Sequence, residues 1–439
     1  MRTRAAWIGL GVAVLLMGAA MIVPAVTGWH VHVRSFPPLH ARWDPRVGPG
    51  TLPAVAIAAV TIGFAIRAAA HWPWRRVLLS SFVLDIAWLT ALATVDGWDG
   101  IGHILNTGYE YLQTARSVTD ISATLHDYVS RIPLNSTDNW PVHIAGHPPG
   151  ALLFFVLLVH LGLGSGLAAG SVVLVLAATT PVAVLITLHR LHAEHLARRA
   201  APFLVTGSAA IWMAVSADAL FGAVAAWGLC CLAIAATART AWAKAGWGAV
   251  AGLLFGWCVM LSYGLPILGI LALAVLFAAH SWRPLPWVIG AAVAVVLTFS
   301  VYGFSWWDAY PVLVRRYWDG VASRRPIGYW IWGDLAALVF SAGPLVGAST
   351  ATAISRIRRF GTTVRGERAI VLLTLAGLIT VVAADLSGMS KAEVERIWLP
   401  FVPWLLVGAA MLPGGWRRAG LACQIGFALL VQHLLFTGW

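Results

Sequence analysis

The stretch His147-Pro-Pro-Gly-Ala-Leu-Leu-Phe-Phe-Val-Leu-Leu-Val-His-Leu-Gly-Leu163 decides how the rest of the chain is read. Its apolar part, from Ala151, holds about 13 residues, whereas crossing a hydrocarbon core takes about 20. It therefore reads as a re-entrant or interfacial helix, started by two prolines that need no amide partners. If it does not cross, Arg75-Arg76, Arg190/Arg198/Arg199, Arg239/Lys244, Arg283, Arg356/Arg358/Arg359/Arg365/Arg368 and Arg417/Arg418 share the side of Met1. If it crosses, every later cluster changes sides. The bias of basic residues toward the cytoplasm selects the first reading, with the N-terminus inside and the C-terminus outside.

The remainder of the 439 residues is 60% hydrophobic and 10% charged, and apolar runs of spanning length recur from end to end. Period-2 alternation is absent, which excludes a membrane β-barrel. The expected fold is an all-α polytopic membrane protein with about thirteen transmembrane helices. Residues 1–76 are expected to form an N-terminal two-helix hairpin, and 77–439 a transmembrane domain carrying an external loop over 96–150. The net charge of +12 sits in short clusters between apolar segments, so it reports topology and excludes nucleic acid as a partner. Arginine, alanine and tryptophan usage suggests a GC-rich bacterial genome, and hence a bacterial plasma membrane. Cys230, Cys231, Cys258 and Cys423 lie in apolar segments without metal-ligand spacing.

In this topology the acids, histidines and aromatics collect outside. The long loop contains two amphipathic stretches, 100–118 and 121–132, expected to lie on the membrane surface as juxtamembrane helices. The chain then turns through Trp140-Pro-Val-His-Ile-Ala-Gly-His147 toward the short apolar helix.

Four elements carry a resemblance to a known group: Gly108-Tyr-Glu-Tyr-Leu-Gln-Thr-Ala-Arg116, the His-Pro-Pro turn at 147–149, Ser216-Ala-Asp218 at a later external tip, and Glu393-Val-Glu-Arg-Ile-Trp-Leu-Pro-Phe401. In this order they resemble the GT-C superfamily of integral-membrane glycosyltransferases that use polyprenyl-phosphate sugars. The resemblance implies a GT-C-like fold and transfer of a sugar, on the extracytoplasmic face, to a glycan, lipid or protein acceptor of the cell envelope. The first loop lacks the superfamily's usual Asp beside Glu110, so the base stays open between Glu110 and the upstream Asp96/Asp99 pair.

Such chemistry needs a carboxylate within hydrogen-bond reach of the acceptor hydroxyl and cations to neutralise the departing phosphate. Glu110, Asp99 and Asp96 are the candidate bases, and Asp218 is the candidate for orienting the acceptor. His143, His147, Arg324, Arg325, Tyr329, Lys391, Glu395 and Arg396 are candidate substrate-binding groups, guanidinium forks being suited to phosphate oxygens. A divalent cation, Mg or Mn, is a candidate cofactor, with Asp99 and Asp218 as its ligands. Two other readings compete. A transporter or flippase of lipid-linked or small solutes would use intramembrane acids, of which Asp85 is the clear instance. A non-catalytic scaffold with a GT-C-like fold would have lost the base.

Overall fold

The computed structural model describes residues 2–438; the side chains of Arg2, Arg359 and Thr362 lie outside the described set, and with them Arg359 of the basic run. Regular structure among these residues is helical, apart from a two-residue antiparallel pairing of Arg42–Trp43 with Leu435–Phe436. Seven helices are long and apolar enough to cross a membrane: Thr3–Thr27, Thr51–His71, Trp74–Asp96, Gly166–Arg190, Ala217–Thr237, Ala241–Leu261 and Arg365–Leu386. Two bent pairs raise the number to nine if each is one span: Leu285–Val301 with Trp306–Asp319 (77°), and Ile327–Ala342 with Leu345–Ile354 (105°).

The expected count of about thirteen exceeds these seven to nine helices of spanning length, because the other segments concerned are shorter, broken or more polar. The run expected over 202–216 breaks at Thr206-Gly-Ser208, between helices Glu194–Val205 and Ala210–Met213. Leu265–Ala279 and Val402–Met411 are shorter apolar helices. The second encloses Trp404, Leu405 and Val407 in protein, so its hydrophobicity serves the core. Trp416–Leu434 buries Gln424 and Gln432 against other helices. The 105° bend follows from Gly343, held at φ 80°, and Pro344 after it; the left-handed region suits glycine and a proline cannot continue the hydrogen-bond ladder.

The two N-terminal helices expected to form a hairpin pack on different partners. Arg2–Thr27 lies against Ile327–Ala342 and Leu345–Ile354, and Thr51–Val60 against Trp74–Ala93 and Trp416–Leu434. The loop helices are also shorter than expected: Asp99–Gly102, Ile104–Asn106, Tyr111–Ser117 and Ile121–Asp127. One face of them is docked on the protein, with Tyr111, Leu112, Ala115 and Leu125 buried.

The bundle has two chemically distinct ends. At one, Arg198 donates to the carbonyls of Ala69 and Trp72 (3.0 and 2.7 Å), Arg365 donates to Ala279, and Arg199 and Arg417 line one pocket. At the other, Asp96 pairs with Arg46, Asp218 with Arg396 and Glu110 with His143. The helix Pro149–His160 is about 18 Å long. It starts at His147, beside Tyr111, and the turn after it returns Gly164 to Arg116, whose guanidinium donates to the Gly164 carbonyl (3.0 and 2.7 Å). Both of its ends thus stay at the acid-bearing end of the bundle.

Candidate active site

Glu110 precedes the helix Tyr111–Ser117 but does not cap it; its side chain turns inward and is 2% exposed. There Oε1 lies 2.7 Å from Nδ1 of His143. His143 is fixed by the turn around it. Arg316 donates to the carbonyls of Ile132 and Trp140, Trp140 Nε1 donates to the Tyr128 carbonyl (2.9 Å), and the Tyr128 hydroxyl donates to the carbonyls of Ile144 and His147 (2.9 and 3.0 Å). On the far side of the ring, Nε2 of His143 lies 3.5 Å from Nη2 of Arg396, and Nη1 of Arg396 donates to Asp218 Oδ2 at 2.7 Å. Glu110, His143, Arg396 and Asp218 form one continuous chain of contacts, drawn from residues far apart in sequence.

This chain backs a cavity of about 520 Å³. His143, His147 and Arg396 reach its wall, as do Arg316, Arg325, Lys391 and Glu393, whereas Glu110 and Asp218 stand behind the wall. The lining carries four cations and one carboxylate, with Leu265, Ile267, Trp398 and Phe401 on its apolar flank. Such a lining suits an amphiphile with an anionic head.

The electrostatics follow from burial and pairing. Burial pushes the Glu110 carboxyl up, but His143 and Arg396 outweigh it and hold the group below the usual range. With Glu110 ionised, Nδ1 of His143 is the donor to its Oε1. Burial pulls the His147 imidazole below its ordinary value; its Nδ1 lies 2.6 Å from the His143 carbonyl and 2.9 Å from the Tyr111 hydroxyl. Arg396 is buried, yet Asp218, Glu110 and Glu393 keep it charged. Lys391 Nζ donates to the carbonyls of Ala322 and Arg325 (2.9 and 3.0 Å) and sits 4.4 Å over the Trp318 ring. Burial and the nearby Arg325 lower its pKa.

Several expected residues lie elsewhere. Asp96 is held by Arg46 and Gln432, and Asp99 is exposed at the start of Asp99–Gly102; neither lines the cavity. Arg324 is exposed and faces an open cleft with Trp29 and His30 instead of the cavity. Tyr329 donates to the Ala20 carbonyl (2.8 Å), tying the first helix to the bundle. Glu395 is fully buried beside the His40 amide and does not reach the cavity. The proposed cation ligands do not meet, since Asp218 is engaged by Arg396 and Asp99 is on another surface. No group of three or more His, Cys, Asp or Glu suited to a metal converges among the described residues. Asp85 is buried beside a separate void of about 20 Å³, room for about one water.

Two charged lining groups were not among the expected set. Glu393 lies 3.4 Å from Arg325 and 3.5 Å from Arg396, and its three-residue spacing from Arg396 was the available signal. Arg316 reads in sequence as an interface arginine beside aromatics; only the loop carbonyls it binds distinguish it.

No protein-family model matches the chain, and no curated protein matches it. Among solved structures, the crystal structure of ArnT from Cupriavidus metallidurans in the apo state aligns with a TM-score of 0.44 and 17% identity, over 75% of this chain and 58% of that one. The chain thus spans less than two thirds of the length of that structure.

Proposed function

We propose that this multi-pass membrane protein is a GT-C-like glycosyltransferase that moves a sugar from a polyprenyl-phosphate donor to a hydroxyl of a cell-envelope acceptor. The observation that carries the reading is the chain Glu110, His143, Arg396, Asp218. It joins three of the four sequence elements of the GT-C resemblance, and His147 of the fourth lines the same cavity, whose lining is cationic and apolar. In this reading the cavity end is extracytoplasmic and the arginine-rich end cytoplasmic, following the positive-inside bias.

The roles follow from reach. Nε2 of His143 takes the proton of the acceptor hydroxyl, and Glu110, behind the wall, holds Nδ1–H and stabilises the imidazolium. The acceptor oxygen bonds to the anomeric carbon as the bond from that carbon to the phosphate oxygen breaks. Arg396, Arg325 and Lys391 stabilise the charge that the polyprenyl phosphate carries away. Asp218 keeps the Arg396 guanidinium oriented. The acids proposed as cation ligands do not fit a common site, so no step runs through a metal.

The test is a reconstituted assay with polyprenyl-phosphate-linked sugars and an envelope-lipid acceptor. Wild-type protein should transfer, and His143→Gln should lower kcat by about a hundredfold or more, the usual contribution of a positioned base, with donor binding kept. Donor binding without turnover by the wild type would instead identify a scaffold, and solute uptake into proteoliposomes without transfer a transporter.

A further inference from the structure

Asp85 sits midway along the span Trp74–Asp96, and Thr180 sits where the helices Gly166–Ala178 and Thr180–Arg190 meet ahead of Pro181. Each is 2% exposed, and both border the same void of about 20 Å³. Oδ2 of Asp85 and Oγ1 of Thr180 are enclosed there without a hydrogen-bond partner among the described residues. No arginine, lysine or histidine among those residues pairs with Asp85. A third wall comes from the break at Thr206-Gly-Ser208. Leu204, Val205 and Gly207 border the void, and the helix Glu194–Val205 ends there, so its last carbonyls lack the next turn of helix to donate to them. Those carbonyls carry the negative end of the helix dipole. Met213, Leu399, Val402 and Leu406 close the void with carbon.

An ionised carboxylate without a partner is costly inside a bilayer, and a positive charge beside it removes that cost. The lining offers oxygen atoms and no guanidinium, ammonium, imidazole or thiol, a donor set suited to a hard cation. A single carboxylate balances a single charge. Magnesium and calcium gather about six or more oxygens and keep waters, for which a void of about 20 Å³ leaves no space. We propose that this void binds one sodium ion, held by the Asp85 carboxylate, the Thr180 hydroxyl and carbonyls of the last turn of Glu194–Val205. The ion joins three helices to the segment that carries Trp398 and Phe401 of the cavity wall, since Leu399 and Val402 of the same segment border the void. The site is independent of the glycosyl-transfer reading, because the void and the cavity share no lining residue.

The experiment measures binding of radioactive sodium to the full chain in detergent, paired with thermal unfolding as sodium chloride replaces choline chloride at constant ionic strength. Saturable binding of a single ion per chain is expected, with a melting temperature that rises as sodium does, because the ion binds the folded chain alone. Asp85→Asn should abolish both signals, while Asp138→Asn, in the exposed part of the long loop, should leave both unchanged. Thr180→Val removes one oxygen at nearly constant volume and should weaken sodium binding about tenfold. Wild-type protein that binds no sodium would overturn the site and leave the void to water. Sodium-dependent melting that survives in Asp85→Asn, or is lost equally in Asp138→Asn, would overturn it as well. Should Asp85→Asn fail to fold, Thr180→Val decides, and undiminished sodium affinity in that variant overturns the proposal.

Discussion

Glu393, Glu395 and Arg396 stand within one turn of chain, yet their side chains have separate surroundings. Glu393 faces the cavity between Arg325 and Arg396, and burial is outweighed there by the two guanidiniums, so its carboxyl is held low. Glu395 points away into protein, where burial, with Glu393 nearby, pushes its carboxyl up to about 7. The folded chain therefore holds the Glu395 proton above the ordinary value of 4.5, and binds more protons than the unfolded chain across that interval. Stability contributed at this site is present below pH 4.5 and is lost as pH rises to about 7, amounting to roughly 3 kcal/mol. Glu395→Gln, permanently neutral, should gain melting temperature relative to wild type as the pH is raised from 5 to 8 in the same detergent. Melting curves that stay parallel across that range would remove the buried, protonated Glu395 from the account. Sequence alone does not separate these two acids. Both belong to one motif, and which of them faces the cavity depends on the left-handed backbone at Ala392 and Glu393, φ 66° and 63°.

The element on which the topology turns is Pro149–His160, and its placement depends on close approach. A Cβ added at Gly150 would come 2.5 Å from the carbonyl oxygen of Met260, near the end of Ala241–Leu261. Gly150→Val must push these two helices apart at the turn that carries His143 and His147. Overpacking of this kind costs about 1–3 kcal/mol, so a lower melting temperature with the helical circular dichroism retained is expected. An unchanged melting temperature would mean that the contact is loose. At this scale the sequence was partly legible. The shortness of Ala151 to Leu163 and the double proline announced the short helix Pro149–His160, and the long apolar runs announced the seven helices of spanning length. What could not be read was whether a shorter apolar run meets lipid or protein: Trp404 and its neighbours look lipid-soluble but are enclosed by other helices. The amphipathic period over 100–118 likewise marked a buried face without revealing the breaks near Gly102 and Gly108.

For the whole molecule, sequence separated the two ends through the sorting of charge, because Arg and Lys clusters and acids alternate with the apolar runs. The convergence of Glu110, His143, Asp218 and Arg396 was legible only as a shared face, since their contacts depend on how distant helices pack. The same folding carried Asp96, Asp99 and Arg324 to other surfaces although they share that end or its loops. The arrangement makes a sharp claim about sidedness. Ser122, in the long loop, and Leu163, just past the short apolar helix, are both exposed and flank the segment that in this topology does not cross; Arg239 follows the span Ala217–Thr237. Single cysteines at these sites, in a background with Cys423→Ser to remove the exposed native thiol, should react with a membrane-impermeant maleimide as two groups. Ser122→Cys and Leu163→Cys should label from one side of sealed vesicles, and Arg239→Cys only after permeabilisation or from vesicles of the opposite orientation. If Leu163→Cys instead labels together with Arg239→Cys, the short helix crosses, and every basic cluster after it changes sides.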